Sequence, residues 1–114
     1  MTDTTADAWV FPWDDARKRP RDHGFAMPFV GPDNVAKIFS VHVSIVEPGY
    51  RPHEPHTHDD EEAIYLLEGK LEVTIDDKVS VIEPNTVAFL PPGSLHGLRN
   101  CSDVNARYVV VRSR

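Results

Sequence analysis

Residues 53–62 read HEPHTHDDEE, in which three histidines and five acidic side chains precede the apolar run AIYLLEG. Imidazoles and carboxylates are donors for divalent transition metals, so the stretch asks whether some of them meet at one ion. His56 and His58 stand two residues apart, and on an extended chain both side chains leave the same face. Glu62 heads the apolar run in phase with Ile64 and Leu66. If those two face a core, Glu62 faces inward too, where an unpaired carboxylate is costly unless a cation or hydrogen-bond donors meet it. Glu61 has the opposite parity and, with Asp59 and Asp60, reads as solvated, adding negative potential nearby. His96 follows the turn Pro91-Pro92-Gly93 and lies between Leu95 and Leu98. It is either a fourth ligand or a buried structural histidine. Each of the four candidates lies where a tight turn meets an apolar strand.

The elements that must carry these side chains are strands. From residue 35 onward, short β-type runs alternate with turn signals. VAKIFSVHVSIVE ends at Pro48-Gly49, and EAIYLLEG follows the histidine stretch. In KLEVTI, Leu71, Val73 and Ile75 alternate with Glu72 and Thr74, as a half-buried strand requires. KVSVIE, TVAFL, LHGLRN and RYVVV complete the set, with turns at Gly69, Asp76-Asp77 and Pro84-Asn85. No segment sustains a 3.6-residue apolar period with caps. Seven or more short strands therefore predict an all-β sandwich, barrel or jelly roll spanning residues 35–114.

Residues 1–34 differ. Pro12, Pro20, Pro28 and Pro32 interrupt any regular period, and the segment reads as an extended N-terminal arm. Its Trp9, Phe11 and Trp13 need apolar cover, from the domain's own surface or from a second subunit. Arg17, Lys18, Arg19 and Arg21 form a short basic cluster, broken by Pro20 and followed by Asp22, and read as solvated.

With 114 residues there is room for one domain, and 40% hydrophobic and 26% charged residues suit a packed globular chain. A net charge of −6 disfavours a nucleic-acid partner. Cys101 stands alone, so no intrachain disulfide scaffold is expected. The acidic start MTDTTADAWV lacks a signal pattern, and no run approaches the roughly 18 apolar residues of a membrane span. The expected location is the cytoplasm, without membrane attachment.

Two spaced motifs carry a resemblance. From Gly49 to Gly69 the chain resembles the first motif of the cupin superfamily: His56-Thr57-His58, three residues to Glu62, and six more to Gly69. From Asn85 to Asn100 it resembles the second, with Pro91-Pro92-Gly93, His96 and Asn100 at the motif's spacings. The spacer from Gly49 to His56 is one residue longer than usual. Asn85 stands where the motif begins with glycine, a mild change because asparagine tolerates the left-handed backbone. The resemblance implies a double-stranded β-helix, or jelly-roll barrel, with His56, His58, Glu62 and His96 on one divalent metal. Three imidazoles and a carboxylate suit Fe, Mn, Ni, Co, Cu or Zn and leave two positions open on an octahedral ion.

The resemblance implies either a small metal-dependent enzyme (dioxygenase, isomerase or lyase) acting on a small oxygenated organic molecule, or a module that only binds such a ligand. Glu62 argues against thiol dioxygenases, which usually use three histidines. His42, His53, Arg51, Tyr65 and Phe89 are candidate pocket residues, alongside Arg99 and Tyr108. His42, His53 or a tyrosine could supply a base. Apolar outer strands such as TVAFL and RYVVV, together with the aromatic arm, predict a homodimer.

Overall fold

Alternation of apolar and polar residues builds the architecture strand by strand. The computed structural model describes residues 9–113, so the acidic start MTDTTADA lies outside them. Among the described residues, nine strands run β1 (Arg19–Arg21), β2 (Gly24–Val30), β3 (Phe39–Val46), β4 (Glu62–Glu68), β5 (Leu71–Ile75), β6 (Lys78–Ile82), β7 (Val87–Leu90), β8 (His96–Asn100) and β9 (Ala106–Ser113). They form two antiparallel sheets, one ordered β1-β2-β3-β9-β4-β7 and the other β6-β5-β8. Together these make the expected jelly-roll barrel. The helical content is one short 3-10 turn, Asp15–Arg17. No helix of the described residues is long and apolar enough to cross a membrane.

The core lies between the sheets and follows strand parity. Ile64 and Leu66 on β4, Leu71 and Val73 on β5, Leu90 on β7, Leu98 on β8 and Tyr108 and Val110 on β9 form one buried cluster. Each such aliphatic side chain contributes about 1.5–3 kcal/mol by leaving water. Glu62 shares this inward parity, as its phase with Ile64 and Leu66 predicted. Its cross-strand partners are Leu90 on β7 and Arg112 on β9.

Turns close the strands where the backbone must turn left-handed. Asn85 adopts φ 67°, so the asparagine does serve at the glycine position. Gly69 has φ 86°, and a Cβ there would meet the Ala106 Cα at 3.0 Å, which excludes larger residues twice over.

Part of the expected arm is built into the larger sheet. β2 pairs with β3 from Gly24↔Val46 through Val30↔Val41, so Pro28 did not prevent a strand. The register shifts between Pro28 and Val30, which places the proline beside a bulge, one of the few strand positions that tolerates its missing N–H. Trp13 folds back on this chain, with its ring 6.0 Å from Phe25 and 6.3 Å from Phe29 and the Arg107 guanidinium 5.0 Å above it. Cover from the chain's own surface is thus the outcome for Trp13, whereas Trp9 stays exposed.

Candidate functional site

Three imidazoles converge at one end of the barrel. His56 and His96 form an isolated antiparallel bridge, each backbone N–H donating to the other's carbonyl at 3.0 Å. His58 enters from the loop ahead of β4, and Glu62 from the first position of β4. The ligand-type atoms of His56, His58 and His96 all lie within 4.8 Å of one another. Their rings meet at 68°, 74° and 89°, so they approach a shared centre from different directions rather than stacking. The Glu62 Oε1 joins them, 2.9 Å from His58 Nε2 and 3.9 Å from His96 Nε2.

Hydrogen bonds fix which nitrogen faces the centre. His58 Nδ1 lies 3.1 Å from the Asp60 carbonyl, which can only accept, so Nδ1 donates there and the ring turns Nε2 toward Glu62 Oε1. The Ser94 hydroxyl donates to the Pro91 carbonyl at 2.7 Å and is therefore free only to accept from His96 Nδ1, 3.5 Å away. That leaves His96 Nε2 as a lone pair. It is buried and finds no hydrogen-bond partner among the described residues. Burial, followed by the neighbouring histidines, holds His56 below the ordinary imidazole range, and burial does the same for His96. Two imidazoles held toward their neutral form, an orphaned buried nitrogen and a carboxylate against His58 fit a divalent transition metal.

Other predicted residues divide. His42 lies on the inner face of β3, paired with Val110, and lines the cavity. Its pKa is pushed down to about 4, first by burial and then by Arg21, Arg19 and Arg112. His53 stacks on His56 with ring centroids 4.2 Å apart and borders the same cavity from the rim. Tyr108 is inside as well, its phenol pushed up to about 12 by burial. The remaining candidates do not line this cavity. Tyr65 sits on the outer face of β4, and its hydroxyl donates to Asn85 Oδ1. Phe89 is its neighbour in parity on β7, exposed and bordering a separate groove against β5 and β6. Both have the opposite parity to the inward Ile64 and Leu90. Arg51 is exposed beside Gly97, and Arg99 pairs with Glu72 at 3.3 Å.

The cavity beside the histidines, about 150 Å³, is lined by Arg21, His42, Ser44, Tyr108 and Arg112 together with His56 and Glu62. Ser44, Arg21 and Arg112 escaped the sequence reading. Ser44 and Arg112 share inward parity with His42 across β3 and β9, a signal that becomes usable only once the register is known. Arg21 was read as part of a solvated cluster, but pairing of β1 with β2 brings it to the barrel. Asn100 is a structural residue. Its amide donates to the Val46 and Val104 carbonyls at 2.8 and 2.7 Å, and its Oδ1 accepts from the Ser102 N–H and hydroxyl.

A barrel of two antiparallel sheets with histidines gathered at one end is the arrangement of a cupin. Residues 42–112 match the family model described as Cupin domain, and the chain belongs to that family. It is 33% identical over 67 residues to polyketide synthase CurC of Streptomyces cyaneus, covering 59% of this chain and 44% of that protein. The chain thus spans less than half the length of this curated relative. A Cupin 2 conserved barrel domain protein from Salinispora arenicola superposes with a TM-score of 0.74 at 26% identity, over 90% of this chain and 86% of that one. The polyketide cyclase RemF from Streptomyces resistomycificus superposes with a TM-score of 0.72 over 91% and 74% of the two chains. Its 23% identity establishes likeness of fold alone.

Proposed function

We propose that this chain is a metal-dependent cupin enzyme, with His56, His58, Glu62 and His96 holding one divalent transition metal ion. Its substrate is a small oxygenated organic molecule rich in carbonyl groups. The observation that carries this reading is His96: a buried Nε2 with no hydrogen-bond partner among the described residues is an unfavourable arrangement unless a cation meets it. When bound, the ion supplies a Lewis acid that polarises a substrate oxygen. Support for a carbonyl-rich substrate comes from the description of CurC as a polyketide synthase.

Within this reading the chain's own residues orient the substrate and handle protons. Tyr108 keeps its phenol protonated and donates to a substrate oxygen. The Ser44 hydroxyl, 1% exposed and beside the Tyr108 phenol across β3 and β9, offers a second polar contact. His42, neutral at physiological pH, takes a proton from carbon adjacent to a carbonyl, which suits cyclisation, isomerisation or elimination.

A homodimer is part of the proposal. On the outer face of β4, β7 and β9, exposed Tyr65, Val87, Phe89 and Val111 are cross-strand neighbours and form an apolar surface suited to a second copy.

The test is metal content by elemental analysis, together with turnover of model poly-β-carbonyl compounds and measurement of oxygen uptake. Stoichiometric metal, with oxygen-independent loss of substrate that stops in the H42Q variant, is expected. Metal without turnover would make the chain a binding module instead, and absence of metal under every loading condition would overturn the reading.

A further inference from the structure

Beside the chamber at the histidines lies a second one. This outer chamber, about 330 Å³, is bounded by Arg17, Arg19, Arg21 and Arg112, with Pro28 and His42 among its walls. Arg21, His42 and Arg112 line both spaces, so the two adjoin across these side chains.

In a chain of net charge −6, four guanidinium groups around one cavity are a marked concentration of positive charge. Two of them are compensated. Arg19 pairs with Asp33 at 2.8 Å, and Arg112 Nε pairs with Asp60 at 2.8 Å. Among the described residues, Arg21 has no carboxylate partner, and Arg17 has a hydrogen bond to the Phe29 carbonyl at 3.0 Å but no ion pair. Asp33, the acidic residue lining this chamber, is already engaged with Arg19. The depressed pKa of His42, with Arg21 leading its charged neighbours, registers the same positive field.

We propose that the outer chamber is a carboxylate-binding subsite, in which Arg21 and Arg17 receive an acid group of the substrate while the remainder of the molecule passes His42 toward the histidine cluster. Guanidinium forks match a carboxylate with two parallel N–H···O bonds, and partial burial reduces solvent screening of the pair. The proposal rests on reading the inner chamber as the reaction site. It narrows the substrate from a carbonyl-rich molecule to a carbonyl-rich acid, and it gives the basic stretch of residues 17–21 a task in recognition.

The test is titration calorimetry with benzoate, benzamide and inorganic phosphate, on both metal-loaded and chelator-treated protein. Benzoate and benzamide are nearly isosteric and differ in charge. Benzoate should bind about tenfold or more tighter than benzamide in both preparations, the size of one charge-assisted pair. R21Q should lose about tenfold of that affinity, with R21K retaining part of it because charge persists without the fork. R17Q, at the rim, should lose a few-fold, and added salt should weaken benzoate throughout. If R21Q fails to fold, R17Q and the salt dependence carry the test. Equal binding of benzoate and benzamide, equal binding of phosphate, or full benzoate affinity in folded R21Q and R17Q would overturn the proposal. Benzoate binding confined to metal-loaded protein would do so too, by placing the carboxylate on the ion. Failure of the metal reading would appear separately, as benzoate selectivity in a protein that takes up no metal.

Discussion

Asp60 holds Arg112 with its side chain, Oδ2 to Nε at 2.8 Å, while its backbone carbonyl accepts from His58 Nδ1 at 3.1 Å. One residue therefore sets both the ring orientation of a proposed ligand and the position of an arginine that lines both chambers. An Asp60→Ala change leaves the carbonyl but removes the ion pair that anchors it. We expect metal affinity to fall about tenfold, within the range for outer-shell partners, as measured by competition with a chelating dye. Unchanged affinity would mean that the loop holds the carbonyl without help from Arg112.

Removing a ligand should be more severe. His96→Ala and Glu62→Gln should each abolish stoichiometric metal in elemental analysis. A saturating divalent ion should raise the unfolding midpoint of the wild type and leave both variants unmoved. At a hundredfold excess over the dissociation constant the stabilisation is about 2.7 kcal/mol. An equal thermal response in the H96A variant would remove His96 from the set.

His42 makes stability depend on pH. Its folded pKa, about 4, lies below the ordinary imidazole value of 6.5, so between these values the unfolded chain binds a proton that the folded one refuses. Stability from this group is complete above pH 6.5 and is lost as the pH falls toward 4, by about 3 kcal/mol in total. His56 and His96 shift in the same direction, so the readout is the difference between wild type and His42→Gln in denaturant unfolding across that window. The variant should show a shallower acid slope. Tyr108 acts at the other end: its raised pKa favours the neutral phenol in the fold, so stability falls as pH rises above 10.

Asn100 is fully buried, and both ends of its amide are used. Asn100→Ala strands the Val46 carbonyl and the Ser102 N–H and leaves the Val104 carbonyl with the Ser102 hydroxyl alone, and should cost about 3 kcal/mol or more in chemical denaturation. Asn100→Asp should also destabilise, since a carboxylate cannot donate to those carbonyls.

The outer sheet face gives a test of association. Phe89→Asp and Val111→Lys place charge in the apolar surface around Tyr65 and Val87. Both should shift the sedimenting species from dimer to monomer without changing metal content. A wild type that stays monomeric at every concentration would remove the dimer from the reading.

Most of the barrel was legible because alternation is a local signal. Leu71, Val73 and Ile75 announced β5, and Ile64 and Leu66 carried Glu62 to the inside. The histidine cluster was legible because its spacing matched a family pattern, with tight turns marking where each strand begins. Pro28 misled because a proline in a strand is ordinarily a break, and nothing in the sequence announces a bulge. Arg21, Arg112 and Ser44 were hidden for another reason. Their common destination depends on which strands lie side by side: Arg21 reaches the barrel only because β2, its hairpin partner, pairs with β3, and neither that pairing nor β3 against β9 can be deduced from spacing along the chain.

The reciprocal hydrogen bonds between His56 and His96 have a kinetic consequence. Two donors from segments forty residues apart are pinned to each other through their main chains, so their separation owes nothing to an ion. Loading then needs only displacement of solvent and small rotations of side chains already aimed inward. An incoming cation should be captured in a single fast phase, with no slow refolding step behind it, and one metal should exchange for another without the barrel opening.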